Sequence, residues 1–203
     1  MPHPDFYDAI PRLRLKDPLA EFLGAFDDGV VEYGYLDVVK LAGHSCPTVA
    51  SAYWMTCRAL AALYGNALAE RGAIRVEFRD ARLNAVTGVV ANVVSMLTGA
   101  TDNDGFKGLA GRFDRRNLLL FNADIPLEIR YTRMDNGAQV DVAANVRLVP
   151  GDPETPRLMQ RGLAGEADAA QARQFASLWQ DRVRRILLEY ADDPQVFVVR
   201  RVS

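Results

Sequence analysis

The sequence predicts an α+β protein: a helix-strand-helix-three-strand core with a mixed sheet, an N-terminal arm, and a C-terminal helix-strand extension. Three observations carry that expectation. From Pro47 to about Arg71 almost every turn is apolar or small, as in a central helix buried nearly all round. Between residues 117 and 148 three runs of β-forming residues follow one another, the last two joined by Asp135-Asn136-Gly137, a strong hairpin signal. From Ala167 to Ala191, residues Phe175, Leu178, Trp179, Val183, Ile186, Leu187 and Tyr190 recur on one helical stripe.

In chain order, residues 1–29 read as an N-terminal arm and short helix. The first 16 are punctuated by proline and alternate little. Asp17-Pro18 then offers an N-cap and a first-turn proline to a short amphipathic helix carrying Leu19, Phe22, Leu23 and Phe26. Residues 30–149 form the core domain. Val31, Tyr33, Tyr35, Val38, Val39 and Leu41 predict a strand over residues 30–41, with Gly34 at a bulge. That strand would deliver the chain to His44-Ser45-Cys46-Pro47, where the proline suits the first position of the buried helix.

Gly72 is expected to close that helix, with a strand over residues 73–78. Residues 85–99 are rich in valine, but the spacing 86, 90, 93, 97 predicts a buried helix. A loop follows over residues 98–108, holding Asp102, Asn103 and Asp104; the complete twelve-residue calcium-loop pattern is missing, so this reads as a solvated turn. Strands are expected at 117–122, 127–133 and 139–148. Residues 149–156, broken by three prolines and a glycine, read as a linker. Residues 150–203 then supply a helix and a strand packed on the core.

Composition narrows the function. With 203 residues, 49% hydrophobic and 25% charged, the chain is globular and large enough for one ordinary core. Its 24 basic and 26 acidic side chains leave a net charge of -2, which does not favour a nucleic-acid backbone or an anionic membrane. No apolar run approaches the ~20 residues of a membrane span, the start lacks the pattern of a secretory signal, and two cysteines do not make a disulfide framework. These features predict a cytoplasmic protein.

The chemistry concentrates at residues 44–46. His44 and Cys46 are both metal ligands when deprotonated, and a thiolate at a helix N-terminus is stabilised by unpaired amides and the helix dipole. The same placement suits Cys46 as a catalytic nucleophile with His44 as its base and the helix N-terminus as an oxyanion site. The plain alternative is a capping histidine and a small buried cysteine. Cys57 lies eleven residues beyond Cys46 on the same helix face, about 16 Å along the axis, which is too far for a shared metal or a disulfide.

His44-Ser45-Cys46-Pro47, Ala50, Tyr53 and Met55, with Leu97-Thr98-Gly99-Ala100-Thr101 and Gly105-Phe106-Lys107-Gly108 downstream, resemble the signature segments of the FmdE-like family, named for its association with formylmethanofuran dehydrogenase. The resemblance covers about residues 36–147. It implies an α+β domain, commonly a homodimer, that binds a transition metal, usually zinc, through His44 and Cys46. A metal so held would serve a small-molecule or redox role, with Tyr53 and Trp54 lining the pocket and Lys107 binding an anion near it; the remaining alternative is a non-catalytic ligand-binding or dimerisation module.

Departures from the family pattern are equally specific. Cysteines expected near Val89 and at Ala100 are absent. His44 and Cys46 alone do not close a four-ligand site. His3, Asp102, Asp104, a partner subunit, water or substrate are the candidates to complete it.

Overall fold

A computed structural model describes residues 3–202 of the chain. Its α+β architecture comprises six α-helices and two mixed sheets. The smaller sheet has the order β2-β1-β3, built from β1 (Leu13–Lys16), β2 (Val30–Tyr33) and β3 (Ala69–Glu70). The larger has the order β5-β4-β6-β7-β8, built from β4 (Ile74–Phe78), β5 (Leu119–Leu120), β6 (Ile129–Arg133), β7 (Gln139–Ala144) and β8 (Phe197–Val202). Among the described residues no helix is long and apolar enough to cross a membrane.

Helix α3 (Pro47–Tyr64) is the central element. It packs on α2 (Tyr35–Ala42), on α4 (Thr87–Thr98) and on β7. Val49, Ala50, Ala52, Tyr53, Met55, Ala59 and Leu60 are buried along it, yet Trp54, Cys57, Arg58, Ala61 and Ala62 are not fully so. The helix therefore keeps one partly open face, where the sequence predicts burial nearly all round. It also ends earlier than predicted. Gly65, at φ +59, donates its N–H to the Ala61 carbonyl at 2.9 Å and stops the helix. Gly72 instead lies between β3 and β4, its N–H on the Thr98 carbonyl.

Residues 30–41 are the clearest departure from expectation. Only Val30–Tyr33 is a strand; Tyr35–Ala42 is helical. Gly34 is no bulge but the N-cap, and the Asp37 carboxylate reaches back to accept its N–H at 2.9 Å. Gly43 closes the other end at φ +75, donating to Val39 O. Caps at both ends outweigh the mild β preference of Val38, Val39 and Leu41, because helix propensity is a weak prior. His44 and Cys46 thus lie at a helix-to-helix turn rather than a strand-to-helix junction.

The first sixteen residues are part of the body rather than an arm lying over it, as far as they are described. A 3-10 turn at Asp5–Ala9 buries Tyr7, and β1 is the middle strand of the smaller sheet, antiparallel to β2 and parallel to β3. Helix α1 (Pro18–Phe22) starts as predicted, with the Asp17 carboxylate accepting from the Leu19 and Ala20 amides. Helix α4 and the antiparallel β6-β7 hairpin also follow expectation. Thr132 pairs with Gln139 across the hairpin, and Gly137 takes φ +74 in its loop.

After β7, residues expected to be linker run into α5 (Thr155–Leu163), a helix with one buried side chain, Leu158. The last of the prolines read as breakers, Pro156, sits in the helix's first turn, where no N–H is needed. Helix α6 (Ala169–Arg184), N-capped by Asp168, continues into a π-helical turn at Arg185–Glu189 that buries Ile186 and Leu187. β8 then pairs antiparallel with β7 as the edge strand.

Candidate metal centre at the turn between α2 and α3

The turn begins where Gly43 takes its left-handed conformation, which a side chain would strain although the space beside it is empty. His44 follows on the surface, its Nδ1 3.0 Å from the Ala42 carbonyl oxygen. A carbonyl only accepts, so Nδ1 carries a proton, and in the neutral ring the lone pair then lies on Nε2. Metal-binding histidines are oriented in this way, with the far nitrogen held by a carbonyl.

Cys46 is the N-cap of α3, in extended conformation, and its Sγ accepts from the Val49 N–H at 3.5 Å. Pro47 occupies the first turn, where no N–H is needed. The sulfur is half-buried and faces the positive end of an 18-residue helix.

Between them, Ser45 is anchored from both directions. Its carbonyl accepts from Trp179 Nε1 at 3.0 Å and Gln180 Nε2 at 3.2 Å, both on α6. Its hydroxyl lies 3.0 Å from the Tyr35 hydroxyl on α2. Tyr35 is fully buried against Tyr7 and Tyr53 in edge-to-face contacts, and burial pushes its phenol far above the ordinary tyrosine range. Tyr7 donates in turn to Gln180 Oε1 at 3.3 Å. Sequence reasoning missed Tyr7, Tyr35, Trp179 and Gln180 as supports. Trp179 is visible there only as one member of an amphipathic stripe.

The other expected residues are dispersed. Tyr53 is fully buried with its hydroxyl donating to Pro11 O at 2.6 Å. Trp54 turns to another face of α3, its Nε1 on Leu187 O at 2.8 Å. Lys107 is exposed in the loop between α4 and β5, and among the described residues no hydrogen bond or ion pair holds it. Ala100 is completely buried, whereas Val89 is exposed near the start of α4.

The structure does not gather the expected completing ligands into one cluster. His3 stacks on Tyr7 at 5.6 Å, Asp102 pairs with Arg82 at 3.4 Å, and Asp104 is exposed. Among the described residues no group of three or more His, Cys, Asp or Glu side chains is arranged to hold a metal. His44 and Cys46 would supply at most two of the four ligands of a closed tetrahedral site.

No family model matches the chain, and no curated protein matches it.

Proposed function

We propose that this chain is a metal-binding protein akin to the FmdE-like family, holding a zinc-like divalent transition metal through His44 Nε2 and Cys46 Sγ. The hydrogen bond from His44 Nδ1 to Ala42 carries the reading, because it orients the exposed ring so that the neutral form offers its Nε2 lone pair two residues from a helix-capping sulfur. Mixed nitrogen and sulfur donors suit zinc and its neighbours. Further donors come from outside this pair: a second copy in a homodimer, a small-molecule ligand, or water. Such an open ion would serve as a Lewis acid toward a bound small molecule. A reducing, cytoplasmic setting goes with this reading, since it keeps both cysteines as thiols.

A second reading rests on the Val49 N–H that faces Cys46 Sγ: a metal-free thiolate nucleophile. Among the described residues, however, no hydrogen bond joins His44 to Cys46, so no base is in place. A non-catalytic ligand-binding or dimerisation module is the third.

The test is cobalt(II) titration of tag-free protein, followed by absorbance and mass. Sulfur-to-cobalt charge-transfer absorption that vanishes in Cys46→Ser and weakens in His44→Ala is the expected result. Unchanged metal content in the His44→Ala, Cys46→Ala double variant overturns the proposal. One metal per two chains would identify the second copy as donor.

A further inference from the structure

The open face of α3 borders a groove of about 640 Å³, a volume within the usual range of small-molecule sites. Trp54, Cys57, Arg58 and Ala61 recur at helical spacing along its floor. Leu187 and Leu188 of the π-helical turn form the facing wall, and Val199 of β8 closes one end. Small side chains at Ala9, Ala61, Ala62 and Ala191 leave the space that larger ones would fill.

Three features make this more than a gap in packing. The π turn places Leu187 O 2.8 Å from Trp54 Nε1, so the indole is oriented by a hydrogen bond, and single π turns are common at functional sites. Burial pushes the Cys57 thiol up to about 12, so at neutral pH it presents a neutral, apolar floor. Among the described residues Arg58 is the only basic side chain on the lining, its guanidinium 5.8 Å from the Trp54 ring centroid.

Arg58 donates to Ala191 O and to the Asp192 carboxylate, and these two side-chain charges are the only ones lining the groove among the described residues. Arg58 is largely buried, but the Asp192 side chain is 95% exposed. An ion pair with so exposed a partner is weak. A ligand carboxylate attached to an apolar body would make the same charge-assisted bond and bury hydrocarbon against Leu188, Ala61 and Val199 as well.

We propose that this groove binds an apolar monocarboxylate, whose carboxylate replaces Asp192 on Arg58 while its hydrocarbon body lies between α3 and the π turn. The site is separate from His44 and Cys46 and uses neither.

Calorimetric titration of the full chain with decanoate tests it, with decanol as the uncharged control. Arg58→Gln should weaken decanoate binding about tenfold, the effect of losing a hydrogen bond to a charged group, and leave decanol binding unchanged. Asp192→Asn removes the competing carboxylate from an exposed position that does not endanger folding, and should tighten decanoate binding severalfold. Ala61→Leu fills the groove and should abolish binding of both probes, while His44→Ala should change neither. Equal decanoate affinity in Arg58→Gln and the parent chain overturns the proposal, as does an Asp192→Asn variant that binds no more tightly than the parent.

Discussion

The Trp179 indole donates to the Ser45 carbonyl across 134 positions of sequence, at 3.0 Å. Through that bond the last long helix fixes the backbone between His44 and Cys46. Replacing Trp179 by Phe keeps most of the apolar contact and removes the donor. Gln180 still reaches the same oxygen at 3.2 Å, so the loss in stability should be about 1 kcal/mol by urea denaturation, typical of one hydrogen bond. Cobalt affinity should fall further than stability alone predicts, because the turn loses its register. Equal cobalt affinity in Trp179→Phe and the parent would show that α6 does not position the site.

A second prediction concerns Asp17, whose buried carboxylate accepts from Arg71 at 2.8 Å and Arg115 at 2.7 Å besides capping α1. Burial alone would raise its pKa, but the bonds from Arg71, the Ala20 amide and Arg115 outweigh it and hold the carboxyl below the usual range. A depressed folded value stabilises the native state above the unfolded value of about 3.9, and that stability is lost as pH falls toward the folded value. The parent should therefore lose urea resistance progressively as pH falls below about 5. Asp17→Asn should be less stable at pH 7 by about 3 kcal/mol, since two buried guanidinium groups lose their counter-ion. The gap between the two proteins should narrow with acid.

Reading the fold from sequence worked where a local device decides the structure. Asp135-Asn136-Gly137 specifies its own hairpin, and Asp17-Pro18 and Cys46-Pro47 mark two helix starts at the observed positions. It failed where distant contacts or paired caps decide. Val38 and Val39 look like strand residues until Gly34 and Gly43 are both recognised as helix ends. Leu13–Lys16 becomes a middle strand only because β2 and β3 pair with it from either side. At the site, His44 and Cys46 are neighbours in sequence and so were legible. Their supports Tyr35, Trp179 and Gln180 come from two other helices, and no local pattern announces them. Trp54 sits eight residues from Cys46, about 12 Å along the helix, which separates the groove from the turn.

Cys57 supports a third prediction. Burial raises its thiol to about 12, against about 8.5 for a free cysteine. The folded state thus holds the thiol proton more tightly. This contributes stability below the unfolded value that is lost as pH rises toward the folded one. Native protein at pH 8 should take up one equivalent of iodoacetamide rapidly, at Cys46, and the Cys46→Ser variant should label far more slowly, because a thiol raised to about 12 is almost entirely protonated at that pH. Above about pH 9 the parent should lose stability more steeply than Cys57→Ala. Rapid modification of Cys57 in the folded chain at pH 8 would contradict the raised thiol.

The last prediction isolates the geometry that presents His44. Gly43 has φ +75, and nothing lies within 4 Å of the position a Cβ would take, so any penalty there is conformational and not steric crowding. Gly43→Ala should cost about 1 kcal/mol through the left-handed backbone that an L side chain resists. Gly43→Asn, which tolerates that region, should cost less. If the alanine chain relieved its strain by unwinding the end of α2, Ala42 O would leave His44 Nδ1 and the ring would turn free. Cobalt binding should then weaken in Gly43→Ala and be largely preserved in Gly43→Asn. Parallel titrations of the two variants separate the conformational requirement from the loss of a glycine as such: equal weakening in both would place the importance of Gly43 in its size, contrary to the empty space beside it.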